Sequence, residues 1–137
     1  MDNLYRDFIL EHYRTPHNKG NLDPHDLEFA DSNPTCGDEM SMTIQLDESR
    51  ERIADVAFDG RGCAISQASA SILTDDLRGK SLDAIKAMDP KELLDELGVP
   101  IGPARLKCAL LSYKVLQGAV RGSEVAWPKE AEAVAGA

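Results

Sequence analysis

The 137-residue chain has no apolar run near the roughly 18 residues that a membrane-spanning helix needs. Its first residues are mixed in charge and contain no apolar segment typical of a secretory signal, so we expect a cytoplasmic protein. A basic excess is also lacking, because Lys and Arg total 15 while Asp and Glu total 24, a formal net charge of −9. Nucleic acids and anionic membranes attract basic proteins, so neither is expected as a partner.

Cysteine is scarce and odd in number, with only Cys36, Cys63 and Cys108. An odd count in a reducing compartment does not predict a disulfide framework. Three thiols so far apart in sequence leave three interpretations. They are inert core residues, nucleophiles or metal ligands.

The length and a hydrophobic content of 42% are ordinary for one globular domain. We predict a single domain over residues 1–122, because no long linker or internal repeat interrupts it. Residues 123–137 are rich in Ala and Glu and contain Pro128, and we predict a flexible or loosely docked tail there.

Hydrophobic periodicity predicts a helix, then a small antiparallel sheet, then several helices. This separation of strands from helices is typical of the α+β class. Gly79 and Gly98 each stand where a glycine commonly ends a helix, and we predict that they end the helices over about 64–78 and 89–98. The predicted helices cover about 4–13, 64–78, 81–88, 89–98 and 103–121, and the predicted strands cover about 27–30, 40–46 and 53–58.

Each cysteine lies at a predicted element boundary, beside glycine or near proline. Gly37 separates Cys36 from Asp38, and a glycine there lets the backbone turn so that a thiolate and a carboxylate point at one centre. Cys63 follows Gly62, which allows close approach of a ligand, and it precedes a helix whose N-terminal amides favour negative charge.

The third cysteine, Cys108, follows two cations, Arg105 and Lys107, in the first turns of the last predicted helix. Together with Asp38 the cysteines have the count for a four-coordinate metal site. Thiolates suit zinc or iron–sulfur chemistry, and a carboxylate is a harder, weaker corner that suits a site able to release its contents. From spacing alone, a shared site and three unrelated thiols both remain open.

Other candidate ligands favour structural roles. His12, His17 and His25 are predicted to be solvent-exposed or packed in loops, and no spacing places one beside a thiol as a Cys–His hydrolase requires. Met40 and Met42 alternate with polar residues, which indicates a strand core and not a copper site.

A series of motifs over residues 3–122 resembles the NifU N-terminal/IscU/SufU family of iron–sulfur cluster assembly scaffolds. The Cys-Gly-Asp and Gly-Cys-Ala-Ile-Ser elements are the most specific. The motifs are Tyr5…His12-Tyr13…Pro16…Asn18-Lys19-Gly20, Asn33-Pro34…Cys36-Gly37-Asp38, Phe58…Gly60…Gly62-Cys63-Ala64-Ile65-Ser66…Ala68-Ser69-Ala70-Ser71, Gly79-Lys80-Ser81 and Pro103…Arg105…Lys107-Cys108-Ala109.

The resemblance implies an α+β, SufE/NifU-like domain: a three-stranded antiparallel sheet with an N-terminal helix and several packed C-terminal helices. It implies that Cys36, Asp38, Cys63 and Cys108 form one exposed site for a transient [2Fe–2S] cluster, with zinc as an alternative occupant. Sulfur would come as persulfide from a pyridoxal-phosphate-dependent cysteine desulfurase, with Cys108 or Cys63 as acceptor. The cluster would pass to apo iron–sulfur acceptor proteins, and a homo-oligomer is left open.

The chain differs from the IscU branch of the family at two places, and these differences leave more than one function open. The IscU branch has histidine where Lys107 stands, and a Leu-Pro-Pro-Val-Lys segment where this chain has Ile101-Gly102-Pro103-Ala104-Arg105. The second difference argues against an Hsp70-type chaperone partner.

Lysine before the last cysteine is similar to the SufU branch, whose Gram-positive members bind zinc tightly and transfer sulfur. Those members insert a segment between the last two cysteines, whereas Cys63 and Cys108 are only 45 positions apart. The hypotheses are an assembly scaffold, a zinc-dependent sulfurtransferase and a purely structural zinc domain.

Overall fold

The computed structural model describes residues 2–34 and 37–132 and has one three-stranded sheet with helices around it. Among these residues, every helix is too short or too polar to span a bilayer. The α+β prediction is confirmed. The elements are α1 (Asp2–Arg14), β1 (Leu27–Asn33), β2 (Asp38–Leu46), β3 (Ile53–Arg61), α2 (Ala64–Asp75), α3 (Leu82–Lys86), α4 (Pro90–Leu97), a 3-10 turn (Pro103–Arg105), α5 (Leu106–Arg121) and α6 (Lys129–Glu132).

The sheet is antiparallel in the order β1-β2-β3. Alternate side chains of β2 face the core, and Met42 pairs with Phe29 on one side and Phe58 on the other. Met40 and Met42 are almost fully buried, which confirms that they are core residues. The register places Glu39, near the start of β2, opposite Arg61 at the end of β3. The beginning of β2 therefore lies beside the chain that leads into α2.

Helix α5 covers the sheet by packing on β1 and β2, and α2 packs against both α5 and α1. The apolar side chains of α5 that face the sheet and α2 have no exposed surface, among them Leu110, Leu111 and Leu116. Burial of this apolar surface is the main force that orders the layers. It also holds the first turns of α2 and α5 in place, and these turns carry the two described cysteines.

The predicted end of α2 is wrong by three residues. The helix ends at Asp75 rather than near residue 78, and its capping residue is Asp76. Leu77 is fully buried, and the Gly79 N–H donates to the carbonyl of Ile53 on β3 at 2.8 Å. Gly79 does take a left-handed conformation (φ +86°). It does so in the connection between α2 and α3, beside the start of β3, rather than at the helix end. The prediction for Gly98 is confirmed, since it caps α4 at φ +70°.

The described part of the C-terminal segment lies against α5. Trp127 is half-buried against the core and Ala131 is 5% exposed. The ammonium of Lys114, in α5, lies 5.3 Å from the centre of the Trp127 ring and pairs with Asp31 and Glu124. A cation over an aromatic face is attracted by the ring quadrupole. The division of the chain at residue 122 stays a prediction.

A pair of carboxyl groups near the ends of α2 and α4 should make stability depend on pH. Partial desolvation and then the charge of Asp76 raise the pKa of Glu96 from 4.5 to about 7. The folded chain then holds a proton that the unfolded chain releases between these values, so the free energy of unfolding falls as pH rises through that window. We expect Glu96→Gln to raise the melting temperature more at pH 8 than at pH 4.

Thermal unfolding of the two proteins at both pH values measures this effect, with Asp95→Asn as the matched control on the same helix. Glu96 is an exposed residue, so solvent screening keeps the gain small. A gain of the same size at both pH values would contradict the assignment.

Candidate metal centre

Three predicted ligands come from three different elements and meet at one point. Asp38 is the first residue of β2, Cys63 immediately precedes α2, and Cys108 lies in the first turn of α5. One ligand atom from each lies within 4.8 Å of the other two. The sheet register explains the first pair, because the start of β2 adjoins the end of β3. The packing of α5 on the sheet brings the third.

The fourth predicted ligand, Cys36, lies outside the described residues. The chain on either side is described. The Gly37 N–H donates to the carbonyl of Asn33 at 2.9 Å, and Gly37 has a left-handed conformation at φ +75°. The predicted turn at this glycine is therefore present. The participation of Cys36 stays a prediction.

The carboxylate of Asp38 is tied to the backbone of Cys63. The Cys63 N–H donates to Oδ1 of Asp38 at 3.1 Å, and the thiol Sγ lies 3.9 Å from Oδ2. Cys63 occupies the capping position of α2, but its side chain makes no capping hydrogen bond. The sulfur is thus left at the positive end of the helix, where negative charge is favourable.

Gly62 makes the approach of Asp38 possible. A Cβ atom at this position would lie 2.4 Å from Oγ of Ser66 and 2.8 Å from Oδ1 of Asp38. Both distances are far below van der Waals contact. The glycine was expected to allow close approach of a ligand. In the structure the group that approaches is the protein's own carboxylate, which the glycine lets reach Cys63.

An open pocket of about 530 Å³ contains the three donors. Asp38 and Cys108 are each 3% exposed, while Cys63 is half-buried, so Cys63 presents the more accessible sulfur of the two described. The remaining lining residues are Gly37, Arg61, Gly62, Ala104 and Arg105.

Two arginines give the pocket a positive rim in a chain of net charge −9. Arg105 was predicted to lie near the thiols, whereas Arg61 was not singled out. The Arg61 side chain is 79% exposed and pairs with Glu39 at 3.2 Å. Its position between Gly60 and Gly62 was the available signal. The other predicted cation, Lys107, lies 5.4 Å from the Trp127 ring and does not line the pocket.

None of the three histidines lines this pocket. Nδ1 of His12 contacts Ser71, that of His17 contacts Asp75, and that of His25 contacts the carbonyl of Leu22. The predicted loop environment holds for His17 and His25, but His12 is 6% exposed and hydrogen-bonded inside the fold.

The donor set fits a thiophilic metal or an iron–sulfur cluster. Two sulfurs and one carboxylate oxygen provide three donors of the kinds that zinc accepts, and sulfur is the donor typical of iron–sulfur clusters. Because Cys63 is half-buried and the pocket is open, solvent reaches the site at Cys63. The expected exposed site is therefore exposed only in part, since Asp38 and Cys108 are almost fully buried by the packing around them. The arrangement suits a centre that is loaded and unloaded better than a closed structural ion.

Comparison with protein families identifies residues 4–125 as a NifU-like N terminal domain. The chain is 39% identical to the zinc-dependent sulfurtransferase SufU of Bacillus subtilis, over 90% of this chain and 94% of that protein. It is 35% identical to the iron–sulfur cluster assembly scaffold protein IscU of Streptococcus pyogenes, over 90% of this chain and 86% of that protein.

A solved structure shares the fold. It belongs to a protein of Fervidobacterium islandicum AW-1 described as a candidate iron–sulfur cluster assembly scaffold for the SUF system. The TM-score is 0.70 at 27% identity, and the match covers 83% of this chain and 94% of the other.

Proposed function

The chain belongs to the family of NifU-like N-terminal domains, and we propose that it is an iron–sulfur cluster assembly scaffold. It accepts sulfur from a pyridoxal-phosphate-dependent cysteine desulfurase, assembles a transient [2Fe–2S] cluster as its cargo and passes the cluster to apo acceptor proteins. The observation that carries the proposal is the meeting of Asp38, Cys63 and Cys108 in one open pocket. Two relatives named as iron–sulfur cluster assembly scaffold proteins, alignable over most of both chains, support it.

The ligands of the cluster are the thiolates of Cys36, Cys63 and Cys108 with the carboxylate of Asp38. Sulfur donors are suited to hold the two irons, and the oxygen of Asp38 is the weaker corner at which exchange begins. Asp38 has a second role, because its Oδ1 accepts the Cys63 N–H and so positions that cysteine. The half-buried state of Cys63 lets an incoming sulfur donor or acceptor reach this side of the site.

Sulfur transfer to this site is redox-neutral. A thiolate of the chain attacks the terminal sulfur of the desulfurase persulfide, forming a new S–S bond while the old one breaks. The desulfurase cysteine leaves as a thiolate, and the chain carries the persulfide. The outer sulfur must then gain two electrons from an external reductant to become cluster sulfide. Cys108 and Cys63 are the acceptor candidates. Cys108 is 3% exposed, so a donor must enter the pocket to reach it, whereas Cys63 is partly accessible from outside.

The positive rim supports approach of the donor sulfur. A persulfide is an anion, and Arg61 and Arg105 line the pocket that it must enter. Opposite charges at the mouth of a cleft raise the local concentration of an anionic group. The side chain of Arg61 is largely exposed, so it can exchange its pairing with Glu39 for an incoming anion.

A second candidate function is zinc-dependent sulfur transfer, which the relative named as a sulfurtransferase favours. Zinc bound to the same donors would hold the thiols deprotonated and would act as a Lewis acid. Asp38, Cys63 and Cys108 would be its ligands with Cys36. One of these cysteines would accept the sulfur as its thiolate, so the chain would serve as a sulfur carrier and would not hold a cluster.

Anaerobic reconstitution separates the two functions. The full chain is incubated with ferrous iron, cysteine, a cysteine desulfurase and a thiol reductant that converts persulfide sulfur to sulfide. Visible absorption and transfer to an apo-ferredoxin are followed. We expect a [2Fe–2S] spectrum that disappears as the ferredoxin acquires its cluster. If no cluster forms while zinc-loaded protein accelerates desulfurase turnover without iron, the scaffold proposal is wrong and sulfur transfer takes its place.

A further inference from the structure

A second cluster of ligand-type side chains lies outside the thiol pocket. His12 near the end of α1, His17 in the following loop and Asp75 at the end of α2 each place one ligand atom within 4.8 Å of the others. His12 is 6% exposed, while the side chains of His17 and Asp75 are 52% and 39% exposed. The cluster therefore has one side anchored in the fold and another open to solvent. None of its members lines the thiol pocket.

Ser71 holds both histidines. Its Oγ lies 2.6 Å from Nδ1 of His12 and accepts the backbone N–H of His17 at 2.8 Å. A hydroxyl oxygen has two lone pairs, so in the Nδ1–H tautomer of His12 it accepts from both groups. Nε2 of His12 is then unprotonated. A metal-binding histidine commonly has its other nitrogen held by a hydrogen bond in this way.

Asn18 orients the carboxylate in the same manner. Its Nδ2 donates to Oδ1 of Asp75 at 2.9 Å and also to the hydroxyl of Thr74 at 2.9 Å. The other oxygen, Oδ2, lies 2.6 Å from Nδ1 of His17. The rings of His12 and His17 lie with their centroids 4.5 Å apart. Ser71 and Asn18, which are outside the cluster, thus position His12 and Asp75, while the His17 ring is held by Asp75 itself.

An ion would rearrange the three ligand atoms, which lie within 4.8 Å of one another. Ligand atoms at about 2.0–2.1 Å from a tetrahedral ion lie about 3.3 Å apart. The His17–Asp75 contact of 2.6 Å is shorter, so the ion would replace that hydrogen bond and separate the two side chains. Both belong to exposed residues, so their side chains can move apart without loss of core packing.

We propose that His12, His17 and Asp75 form a second metal site, for a divalent first-row transition ion such as Zn²⁺ or Fe²⁺. Two imidazole nitrogens and one carboxylate oxygen are a donor set that these ions accept, with water completing the coordination. The set has no sulfur, so it binds the ion without thiolate and is spectroscopically distinct from the pocket of Cys63 and Cys108. The proposal does not depend on the function of that pocket.

Titration of the reduced, metal-free full chain with Co²⁺ tests the proposal. Cobalt bound to thiolates gives intense sulfur-to-cobalt charge-transfer absorption, which counts occupancy of the thiol pocket. The second site adds cobalt without increasing that band. We expect about two equivalents in the wild type and about one in His17→Ala and in Asp75→Ala, with Zn²⁺ displacing cobalt from both sites. Histidine side-chain NMR signals of the wild type should shift as the second equivalent binds.

His25→Ala is the matched control, because it removes the remaining exposed-loop histidine, whose contacts are Leu22 and Glu28. It should retain both equivalents. The proposal is overturned if the wild type binds only the thiolate-dependent equivalent, if His17→Ala and Asp75→Ala bind as much as the wild type, or if His25→Ala loses the second equivalent. A wild-type protein that binds cobalt without the charge-transfer band, and loses that cobalt in His17→Ala, would contradict the thiol pocket and still support this site.

Discussion

Serine in place of Cys63 or of Cys108 is expected to abolish stable cluster assembly on the full chain. Both sulfurs lie with Asp38 inside a 4.8 Å cluster, and the proposed site uses both. Serine oxygen is a hard donor that is not deprotonated near neutral pH, whereas iron–sulfur clusters are held by thiolates. Loss of one ligand from such a set leaves an iron open to water. We expect less than about one-tenth of the wild-type cluster absorption, a loss of at least about 1.4 kcal/mol in binding.

Visible absorption after anaerobic reconstitution measures this loss, and the melting temperature of each variant shows that the fold is retained. Ser66→Ala is the matched control. Its hydroxyl lies 3.9 Å from the sulfur of Cys63 and donates to the Cys63 carbonyl, but it is not among the proposed ligands. Ser66→Ala should assemble the cluster. A folded Cys63→Ser or Cys108→Ser protein that assembles as much cluster as the wild type would refute the ligand set.

Alanine at Asp38 is expected to slow cluster release at least about tenfold, equivalent to about 1.4 kcal/mol in the barrier. A carboxylate oxygen is the one hard donor among the proposed ligands, so exchange with an acceptor thiolate starts there. Without this oxygen ligand, exchange must begin at one of the cysteine thiolates. Release must then break an iron–sulfur bond.

The rate of transfer to apo-ferredoxin measures this effect after reconstitution of each variant. Asp38→Asn keeps an oxygen for the Cys63 N–H while removing the anionic donor, so it separates ligation from positioning. Glu39→Gln is the control for loss of a neighbouring negative charge, since Glu39 is exposed and pairs with Arg61. Transfer from Asp38→Ala at the wild-type rate would remove Asp38 from the proposed role.

Much of the fold was predictable because local patterns agree with it. The alternation around Met40 and Met42 predicts β2, and the helix predicted over 89–98, ending at Gly98, corresponds to α4 in the structure. The exact end of α2 was not predictable. After Asp75 the chain turns toward the sheet, where the Gly79 N–H donates to the carbonyl of Ile53. No local pattern near residue 79 predicts a partner so far away in the chain.

The candidate site was also predictable only in part from the sequence. Residue types suited to sulfur and metal chemistry make Cys36, Asp38, Cys63 and Cys108 candidate ligands. The resemblance to the family, now confirmed, implies that they form one site. The structure brings together the three of these that it describes. Arg61 in the rim was missed, because an arginine between glycines is usually only a solvated turn residue.

The sequence by itself determined the local features of this protein. These are the residue types of the candidate ligands, the turns beside them and the periodicity of strands and helices, which involve only residues near one another in the chain. Distances between remote residues depend on how layers pack. The position of Cys108 beside Cys63 follows from α5 lying across the sheet. The meeting of His17 with Asp75 follows from the packing of α1 on α2. Such contacts arise from burial of apolar surface across the whole domain. The hydrophobic effect is non-directional, so the sequence does not specify which remote residues meet, and these contacts appear only in the folded chain.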